Sequence, residues 1–451
     1  MNELAVVVLA AGKGTRMKSG LPKVLHRVAG RSLLGHALHA VRELAPSRTV
    51  IVSGPDMDNV AAEARRIIPA AAIAIQAERN GTGHAVAMAR TALAGFSGTV
   101  LVLYGDVPLI EAETLRRLTA LVADGLPMAV LGFEAVDPHG YGRLLRSSPE
   151  RVVAIREELE ATLEEKQVTL CNSGVIAISS EILWDTLPKI GKGNAKAEYY
   201  LTDLVELVAQ AGQACGLTVC PESEVAGVND RVQLAAIEAT LQQRYRRRHM
   251  LNGATLVAPE TVHFSADTVL GRDVVIEPHV VFGPGVSIGD TVEINAFSHL
   301  EGASVATGAR IGPFARLRPG AEIGEAAHIG NFVEVKKSVI GKGAKANHLT
   351  YIGDARVGAK TNIGAGTIIC NYDGYEKHLT DIGVGVFVGS NTALVAPVKI
   401  GDGASIAAGS VITRNVPSDA LAITRPDLDI RVGWAAKYRD IKSAKKAARK
   451  K

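Results

Sequence analysis

The sequence predicts an α/β domain with a mostly parallel sheet, followed by a parallel β-helix of hexapeptide repeats, the two being joined by a long helix. Up to about residue 230, apolar strand-like runs alternate with helical patterns. After Gly253, aliphatic residues recur every six positions, and an unbroken helical pattern lies between the two regions. The 451 residues exceed the roughly 100–200 of one domain. We expect domains at 1–231 and 253–451, with a helical linker at 232–252.

The first half carries short apolar runs that are rich in β-branched residues and do not alternate with polar ones. Such runs are typical of strands buried on both faces of a parallel sheet. They read AVVVLA (5–10), RTVIVS (48–53), GTVLVLYGD (98–106), MAVLGFEA (128–135) and VIAIS (175–179). Helical patterns separate them, and one of these, ETLRRLTALVADG (113–125), ends in glycine as helices commonly do. This alternation indicates a doubly wound, Rossmann-like fold.

The linker reads RVQLAAIEATLQQRYRRRHMLNG (231–253) and contains no helix breaker before Gly253. Its apolar residues form a narrow stripe, and arginines crowd one end. The stripe comprises Val232, Ala235, Ala236, Ala239 and Tyr245, and the arginines are Arg244, Arg246, Arg247 and Arg248. Such a cluster can bind an anionic partner, but we interpret it as the solvated face of a connecting helix.

The second half repeats with a period of six, which neither a helix nor an alternating strand can produce. The aliphatic ladders are Ile276–Phe282–Ile288–Ile294–Leu300, Ile311–Leu317–Ile323–Ile329–Val335 and Ile382–Val388–Leu394–Ile400–Ile406–Ile412. Glycine commonly follows the aliphatic residue. Each hexapeptide is therefore predicted to form one short strand and a turn, with its aliphatic side chain pointing into a shared interior.

Composition excludes several classes of function. The net charge of +4 is small for this length, and much of the excess lies in the terminal KSAKKAARKK, so we expect no nucleic-acid partner and a solvated, disordered tail. The four cysteines form no CxxC pair, which predicts a reduced, cytoplasmic protein without a zinc site. The apolar start is too short to span a membrane, and we expect no stable membrane association.

The loop after the first strand, LAAGKGTRM (9–17), has the composition of a phosphate-binding turn. Gly12 and Gly14 allow close backbone approach, and N–H groups there can hold phosphate oxygens. Arg16 adds a guanidinium suited to phosphate, and Lys23 of LPKVL follows. Because the loop lacks both a Walker ending and the third glycine of a dinucleotide turn, on its own it is equally compatible with a tight turn bearing solvated cations.

Two further segments strengthen the nucleotide interpretation. QAERNGTGHAV (76–86) offers a glycine-threonine turn with hydrogen-bonding groups suited to a base edge. In LVLYGDVPL (101–109), Asp106 follows a buried strand, at the sheet edge where open α/β folds bind ligands. A carboxylate beside phosphates can hold Mg²⁺. The alternative role for Asp106 is that of a helix N-cap.

In the second half, function is expected where the repeat is interrupted, because unbroken repeats build scaffold. Interruptions fall between Val335 and Ile340, between Ile352 and Val357, and between Ile369 and Ile382, the last holding NYDGYEKHLTD. The irregular part of the repeat contains His348, and nearby coils are expected to add hydrogen-bonding side chains and cations, namely Tyr351, Asn362, Asn371, Arg318, Lys336 and Lys377. A base beside an anion site suits the acylation of an amine on a sugar phosphate.

Together the motifs resemble a known family. LAAGKGTRM with LPKVL, QAE with GTGHA, GDVPL, GYGR, EYYLTD and GVNDR look like the sugar-phosphate nucleotidyltransferases. With the hexapeptide half, the chain resembles the bifunctional N-acetylglucosamine-1-phosphate uridylyltransferase / glucosamine-1-phosphate acetyltransferase family over nearly its whole length. The resemblance implies a left-handed β-helix, a homotrimer, and UTP, acetyl-CoA and Mg²⁺ as co-substrates and cofactor.

By this resemblance, the uridine nucleotide is held by Leu9, Ala10, Ala11, Gly12, Gln76, Gly81 and Thr82, while Arg16 and Lys23 neutralise its phosphates during catalysis. The sugar end is held by Tyr104, Gly105, Gly142 of GYGR and Asn172 of CNSGV, and the metal by Asp106 and Asn229 of GVNDR. A carboxylate of AIREELEAT (154–162) should contact the sugar. We expect Glu157, with Glu158 as the alternative, because this segment departs from the usual VE-x-K-D-A pattern.

In the second half, the resemblance makes His348 the general base that accepts a proton as the 2-amino group of glucosamine-1-phosphate attacks acetyl-CoA. The sugar phosphate would be bound by Arg318, Lys336, Tyr351, Asn362 and Lys377. Acetyl-CoA would lie along Ala365, Asn371, Tyr372, Ser390, Ala408 and Arg425. Ser390 or a backbone N–H would stabilise the oxyanion.

The expected activity is N-acetylation of glucosamine-1-phosphate followed by uridylyl transfer from UTP. The products are UDP-N-acetylglucosamine, a precursor of peptidoglycan and lipopolysaccharide, and pyrophosphate. One alternative is a single-activity sugar-1-phosphate nucleotidyltransferase whose β-helix is a regulatory or trimerisation module. Another is a scaffold that only binds sugar nucleotides, for which the HLTY and NYDG segments would be unnecessary.

Overall fold

The computed structural model describes residues 3–449. The chain forms two compact units, which meet in sequence at Arg247 and Arg248. This division falls inside a helix, Arg231–Leu251, that covers most of the expected linker. Each unit has its own buried interior.

The first unit is built on a nine-stranded sheet and a two-stranded hairpin. Its strands are β1 (Glu3–Leu9), β2 (Arg27–Val28), β3 (Arg31–Ser32), β4 (Arg48–Ser53), β5 (Ala72–Ile75), β6 (Gly98–Tyr104), β7 (Met128–Glu134), β8 (Arg143–Ser148), β9 (Arg151–Arg156), β10 (Leu170–Ser179) and β11 (Cys215–Cys220). The hairpin is formed by β2 and β3, and the sheet has the order β5-β4-β1-β6-β10-β7-β11-β9-β8.

The sheet is parallel where the ligand-binding motifs lie. Strands β5, β4, β1 and β6 run parallel to one another, as the sequence predicts. The VIAIS run lies in β10, which is antiparallel to both of its neighbours β6 and β7. The VIAIS pattern correctly predicted that β10 is buried on both faces, but the parallel direction expected for it is wrong.

Helices cover both faces of this sheet. They are α1 (Leu33–Glu43), α2 (Asp58–Ile67), α3 (Thr82–Met88), α4 (Ala112–Ala123), α5 (Ser180–Thr186) and α6 (Asp203–Gln210), followed by α7 (Arg231–Leu251). In β1, Val6 and Val8 join one hydrophobic cluster while Ala5 and Val7 join another. Successive side chains of a strand point to opposite faces, so both faces of the sheet are buried.

The long helix α7 is present, but the predicted apolar stripe is wrong. Val232 is 79% exposed, and Ala235, Ala236 and Ala239 are also exposed. The buried positions are Ile237, Leu241, Gln242 and His249. These residues are spaced by four, one and seven positions, which places them on one face of a helix. The alanines also have helical spacing, but they lie on the exposed side.

The arginine cluster of α7 is not simply solvated. Arg244 donates to the Leu109 carbonyl oxygen at 2.9 Å and pairs with Glu111 at 3.1 Å. The helix ends before Gly253, whose φ of +97° is a conformation that favours glycine.

The second unit is a parallel β-helix. Its strands are β12 (Thr255–Leu256), β13 (Val269–Leu270), β14 (Val275–Ile276), β15 (Val281–Phe282), β16 (Ser287–Ile288), β17 (Glu293–Ile294), β18 (His299–Leu300), β19 (Ala303–Val305), β20 (Arg310–Ile311), β21 (Arg316–Leu317), β22 (Ala321–Ile323), β23 (His328–Asn331), β24 (Glu334–Ile340), β25 (Lys345–His348), β26 (Tyr351–Val357), β27 (Asn362–Ile363), β28 (Ile368–Cys370), β29 (Thr380–Ile382), β30 (Phe387–Val388), β31 (Ala393–Val395), β32 (Val398–Ile400), β33 (Ser405–Ile406), β34 (Val411–Ile412) and β35 (Leu421–Ala422).

The hexapeptide register follows the prediction. Ile276 pairs with Ile294, which pairs with Ile311 and then with Ile329 in successive parallel strands. All four are fully buried. Because three hexapeptides complete one coil, every third aliphatic position stacks on the same face. In the longest interruption, the chain leaves the β-helix after β28 and returns to it at β29, so residues 371–379 form a loop.

The C-terminal segment differs from the expected disordered tail. Helix α8 (Trp434–Ala448) contains most of it, and its residues are all exposed. The last two lysines of KSAKKAARKK lie outside the described residues. Between residues 3 and 449, no helix is both long enough and apolar enough to cross a membrane.

Candidate active sites

A cleft of about 320 Å³ opens in the first unit, where β1 and β6 end. Ten of the residues expected to bind the nucleotide, the sugar or the metal line it, namely Leu9, Ala10, Ala11, Gly12, Lys23, Gln76, Gly81, Thr82, Tyr104 and Asp106. Val24, Arg79, Ala85 and Glu198 complete the lining. The carboxyl edge of a parallel sheet is the usual place for a ligand in this architecture.

The phosphate-loop backbone is fixed by the strands on either side. Ala10 N–H donates to Val52 at 2.8 Å, and Gly105 N–H donates to Leu9 at 3.0 Å. Gly14 has a φ of +61°, and a β-carbon there would lie 2.5 Å from Cβ of Lys23. Glycine is therefore required at position 14 so that the Lys23 stem can pack against the loop.

Arg79 is a cleft residue that the sequence did not single out. Its Nε donates to the Ala11 carbonyl oxygen at 2.7 Å, tying the two motifs together. Arg79 is the one cation of QAERNGTGHAV, the segment whose glutamine, glycine and threonine are expected to bind the nucleotide.

The glycine-threonine turn is held from the opposite side by EYYLTD. Gly83 N–H donates to Tyr199, and the Thr82 hydroxyl accepts from Leu201 N–H at 2.9 Å. Gln76 Nε2 donates to the Gly81 carbonyl oxygen at 3.1 Å. These bonds fix the turn that begins α3 at the cleft wall.

Asp106 and Asn229 come together through cations. Lys23 Nζ forms an ion pair with Asp106 and also donates to Asn229 Oδ1 at 3.3 Å. Arg16 Nη2 donates to the same Oδ1 at 3.0 Å. Val228 N–H donates to the Asp106 carbonyl oxygen at 3.2 Å, which brings GVNDR beside GDVPL.

Two protein oxygens at this place fit a magnesium ion. Asp106 and Asn229 are hard oxygen ligands of the kind Mg²⁺ prefers, and both contact one ammonium nitrogen, so they can reach one ion. Within residues 3–449 there is no group of three or more His, Cys, Asp or Glu side chains that could hold a metal. An ion here would take its remaining ligands from phosphate oxygens and water.

Asp106 is not the N-cap of the following helix. Helix α4 begins at Ala112, and its N-cap is Glu111. The alternative role considered for Asp106 is therefore wrong, because the turn after β6 is longer than a direct strand-to-helix connection.

Of the residues expected at the sugar end, Tyr104 lines the cleft, whereas Gly105, Gly142, Asn172 and Glu157 do not. Asn172 N–H donates to the Gly142 carbonyl oxygen at 2.8 Å, and the Glu157 carboxylate lies beside Gly142. The Thr202 hydroxyl donates to Glu157 at 3.2 Å. Burial raises the pKa of Glu157, while the hydrogen bond from Thr202 opposes this shift.

Tyr104 connects this sugar end with the cleft. Burial raises the pKa of its phenol, and the nearby carboxylates of Asp106 and Glu157 raise it further. The phenol is therefore neutral, and it forms a hydrogen bond with the Thr82 side chain of the glycine-threonine turn.

Glu158 is occupied by a different partner. Arg143 of GYGR is only 2% exposed and pairs with Glu158 at 2.8 Å. Glu158 also accepts from Gly140 N–H at 3.3 Å. The GYGR arginine thus holds one carboxylate of the pair while Glu157 lies beside Gly142.

In the β-helix, His348 has a partner that the sequence analysis missed. Its Nδ1 lies 2.6 Å from Oδ1 of Asn331, the residue opposite it in the preceding coil. An amide oxygen only accepts, so Nδ1 carries the proton and Nε2 is unprotonated in neutral imidazole. The signal in the sequence was the spacing of 17 residues, which is one coil.

His348 belongs to a column of residues at one corner of the β-helix. The carbonyl oxygens of Asn331, His348, Ala365 and Ser390 accept from Leu349, Gly366, Asn391 and Gly409 of the next coil. Arg425 Nη1 then donates to the Ala408 carbonyl oxygen at 2.8 Å. Ala365, Ser390, Ala408 and Arg425, all expected to line the acetyl-CoA path, therefore extend from His348 along one edge.

The cations expected to bind the sugar phosphate lie close to one another. The pKa of Lys336 is lowered, mainly because its ammonium contacts that of Lys377, and Arg318 adds to the effect. Arg318 pairs with Glu334 at 2.7 Å, and Glu334 is opposite Tyr351 in the strand register. Cations held close together in this way favour an anionic ligand.

Three expected residues occupy other positions. Asn362 is opposite Lys345 in the first strand of its coil. Asn371 begins the 371–379 loop and donates to Asp354, and the hydroxyl of the next residue, Tyr372, donates to the Gly374 carbonyl oxygen. Within one chain, Asn371 and Tyr372 follow β28, whereas Ala365 and Ser390 come after β27 and β30, which belong to a different sheet, so the two sets lie at different corners.

Comparison with known proteins places this arrangement in a family. Residues 6–169 match the MobA-like NTP transferase domain, and residues 267–302 match the bacterial transferase hexapeptide repeats. Bifunctional protein GlmU of Rhodospirillum rubrum is 58% identical over 97% of this chain and 98% of its own length. Its counterpart of the same name in Azorhizobium caulinodans is 56% identical, with 97% of each chain covered. The chain belongs to the GlmU family, the bifunctional N-acetylglucosamine-1-phosphate uridylyltransferases and glucosamine-1-phosphate acetyltransferases.

Proposed function

We propose that the two activities of the family reside at two separate sites of this chain, uridylyl transfer in the cleft of the first unit and acetyl transfer at the His348 corner of the β-helix. The first assignment rests on the cleft that joins the phosphate loop, Lys23 and Asp106. The second rests on two observations, the His348–Asn331 hydrogen bond and the close approach of Lys336 to Lys377.

In the cleft, the phosphate of N-acetylglucosamine-1-phosphate attacks the α-phosphorus of UTP and pyrophosphate leaves. The nucleophile is already an anion, so no general base is needed and the protein's task is to position and neutralise charge. Arg16 and Lys23 bind phosphate oxygens, while Gln76, Gly81 and Thr82 hold the nucleotide. Glu157 accepts hydrogen bonds from the sugar, and the pairing of Glu158 with Arg143 supports this choice.

Asp106 and Asn229 would hold Mg²⁺ in this site. A Mg²⁺ ion held by these two residues would supply positive charge that neutralises the phosphates of the nucleotide. Their carboxylate and amide oxygens meet at the carboxyl end of β6, where the phosphate loop also begins.

At the β-helix corner, His348 Nε2 accepts the proton of the 2-amino group as that nitrogen attacks the acetyl carbonyl of acetyl-CoA. Nδ1–H remains bonded to Asn331, which fixes the ring and supports the imidazolium that forms. Arg318, Lys336, Tyr351, Asn362 and Lys377 bind the sugar phosphate. Ala365, Asn371, Tyr372, Ser390, Ala408 and Arg425 border the acetyl-CoA path, and Ser390 can donate to the oxyanion.

A pair of variants tests the assignment to two sites. His348→Ala should lower acetyl transfer by about 10²–10⁴-fold, as expected for loss of a general base, and leave pyrophosphate release unchanged. Asp106→Ala should abolish pyrophosphate release and leave acetyl transfer unchanged. Omitting glucosamine-1-phosphate, acetyl-CoA or UTP in turn from a coupled assay measures both steps.

His328→Ala is the matched control, because His328 lies on the same strand series 20 residues earlier and has no role in either step. Loss of both activities in either active-site variant, with native circular dichroism, would contradict two independent sites. If His348→Ala keeps full acetyl transfer, His348 is not the general base.

The β-helix also supports the proposal of a homotrimer. Phe297, Phe314 and Phe332 stack in a column with ring centroids 4.9 and 5.1 Å apart, yet each is 45–55% exposed. A contiguous exposed aromatic surface indicates a contact with another protein surface. Sedimentation equilibrium should give three times the chain mass of 47.3 kDa. The four free cysteines suit a cytoplasmic location, where acetyl-CoA and UTP are available.

A further inference from the structure

Lys23 joins the two residues proposed to hold the metal. Its Nζ forms an ion pair with Asp106 and donates to Asn229 Oδ1 at 3.3 Å. The Lys23 and Asp106 side chains are only 13% and 19% exposed. Arg16 donates to the same Asn229 oxygen at 3.0 Å. Each proposed metal ligand is therefore already bound to a cation of the protein.

The position of the ammonium group is defined by packing as well as by charge. The Lys23 stem lies against Gly14, where even a β-carbon would not fit. The side chain begins in the short 3-10 helix Lys23–Leu25, whose Val24 is buried. Lys23 thus approaches Asp106 and Asn229 from the phosphate loop along a fixed path.

A divalent cation bound to Asp106 and Asn229 would have to take the place of this ammonium, since both need the same oxygens and two cations in contact repel each other. Nucleotide phosphates change the balance. They offer Lys23 and Arg16 new anionic partners on the same loop, which releases Asp106 and Asn229.

We propose that Lys23 is an internal counter-ion of the metal site, which holds Asp106 and Asn229 in the free protein and moves to the phosphates when the nucleotide binds. Metal and nucleotide then bind with positive coupling, and the metal alone binds weakly. By linkage, the same factor strengthens both binding events. This inference rests on the proposed magnesium site and adds the order in which its charges are exchanged.

The test measures Mn²⁺ binding to the full-length protein without nucleotide, by electron paramagnetic resonance of free Mn²⁺. Lys23→Met keeps the packing of the stem and removes the charge. We expect it to bind Mn²⁺ at least about tenfold more tightly than the unaltered protein, because Asp106 loses its counter-ion. Lys23→Gln serves the same purpose if the methionine variant does not fold.

Lys13→Ala is the matched control, since Lys13 is an exposed cation on the same loop. It should change Mn²⁺ affinity less than about twofold. An equal gain in both variants would mean that net charge alone acts, and no gain in Lys23→Met would mean that Lys23 does not compete with the metal. Either result overturns the inference.

A third variant separates this inference from the proposed site itself. Asp106→Asn should abolish Mn²⁺ binding to the complex of the protein with UDP-N-acetylglucosamine. If that binding persists, the metal lies elsewhere and the proposed site fails. If it is lost while Lys23→Met shows no gain, the site stands and only the counter-ion role is refuted.

Discussion

Asn331 determines how His348 can act, because its amide oxygen fixes the proton on Nδ1 and leaves Nε2 to accept one. Asn331→Ala should lower kcat for acetyl transfer by about 10–100-fold, with little change in KM, since the base loses its orientation but the substrate contacts remain. Steady-state kinetics with glucosamine-1-phosphate varied would separate the two parameters.

Asn331→Asp provides the matched comparison. A carboxylate keeps the acceptor and favours the imidazolium, so the acid limb of the pH–rate profile should move to higher pH. A merely structural asparagine would not shift that limb. Equal kcat in Asn331→Ala and the unaltered protein would show that the 2.6 Å contact does not position the base.

Single residues also show what a sequence reveals about a site. Whereas Leu9 and Tyr104 were assigned only through the family resemblance, the glycine-rich loop and Asp106 were predictable from the pattern, because both follow buried strands and strand ends meet at one edge. Arg79 and Asn331 were not, since their roles arise from contacts across 68 and 17 residues. The pairing of Glu158 with Arg143 distinguishes it from Glu157, and no local pattern indicated that Arg143 is buried.

At the scale of elements, the start of α6 concentrates negative charge. Burial and, to a smaller extent, the neighbouring carboxylates of Glu160, Glu157 and Glu206 together raise the pKa of Asp203 to about 6. The folded form therefore binds more protons than the unfolded form between about pH 4 and 6, and stability falls as pH rises through this range. Well above pH 6, Asp203 is ionised in the folded protein and the destabilisation that its charge causes is complete.

Asp203→Asn should remove that cost. At pH 8 we expect stabilisation of the first unit by about 1 kcal/mol, a value reduced for the partial exposure of Asp203, which corresponds to about 3 °C in Tm. At pH 4 the gain should vanish. Thermal unfolding followed by circular dichroism at both pH values measures this difference.

Asp58→Asn is the appropriate control, because Asp58 also opens a helix, α2, but is exposed. Both variants lose the favourable interaction of an acidic residue with a helix N-terminus. If Asp203→Asn is no more stable at pH 8 than Asp58→Asn relative to the unaltered protein, crowding of carboxylates does not destabilise α6.

Elements differ in how well a pattern predicts them. The hexapeptide strands follow from a period of six that only a β-helix produces, and Ile276, Ile294 and Ile311 align in register. The antiparallel direction of β10 and the buried face of α7 depend on tertiary packing. Alanines at the helical spacing in α7 are exposed, while Ile237 and Leu241 are buried.

At the scale of the whole molecule, each unit has a complete interior of its own. The first unit buries both faces of its sheet, in clusters that extend from Ala5 to Val225. The β-helix buries its aliphatic ladder through contacts between neighbouring coils, so its stability is a property of the repeat array. Units of this kind are expected to fold independently.

A fragment comprising residues 1–251, which retains all of α7, tests this independence. It should fold, catalyse UTP-dependent pyrophosphate release at the rate of the full-length protein, and show no acetyl transfer, because the cleft lies within the first unit and His348 does not. Calorimetry of the full-length chain should resolve two transitions, one of which matches the fragment. The His348→Ala full-length protein is the control, since it lacks the same activity while keeping the β-helix. A fragment that folds but releases pyrophosphate far more slowly than this control would show that uridylyl transfer depends on the second unit.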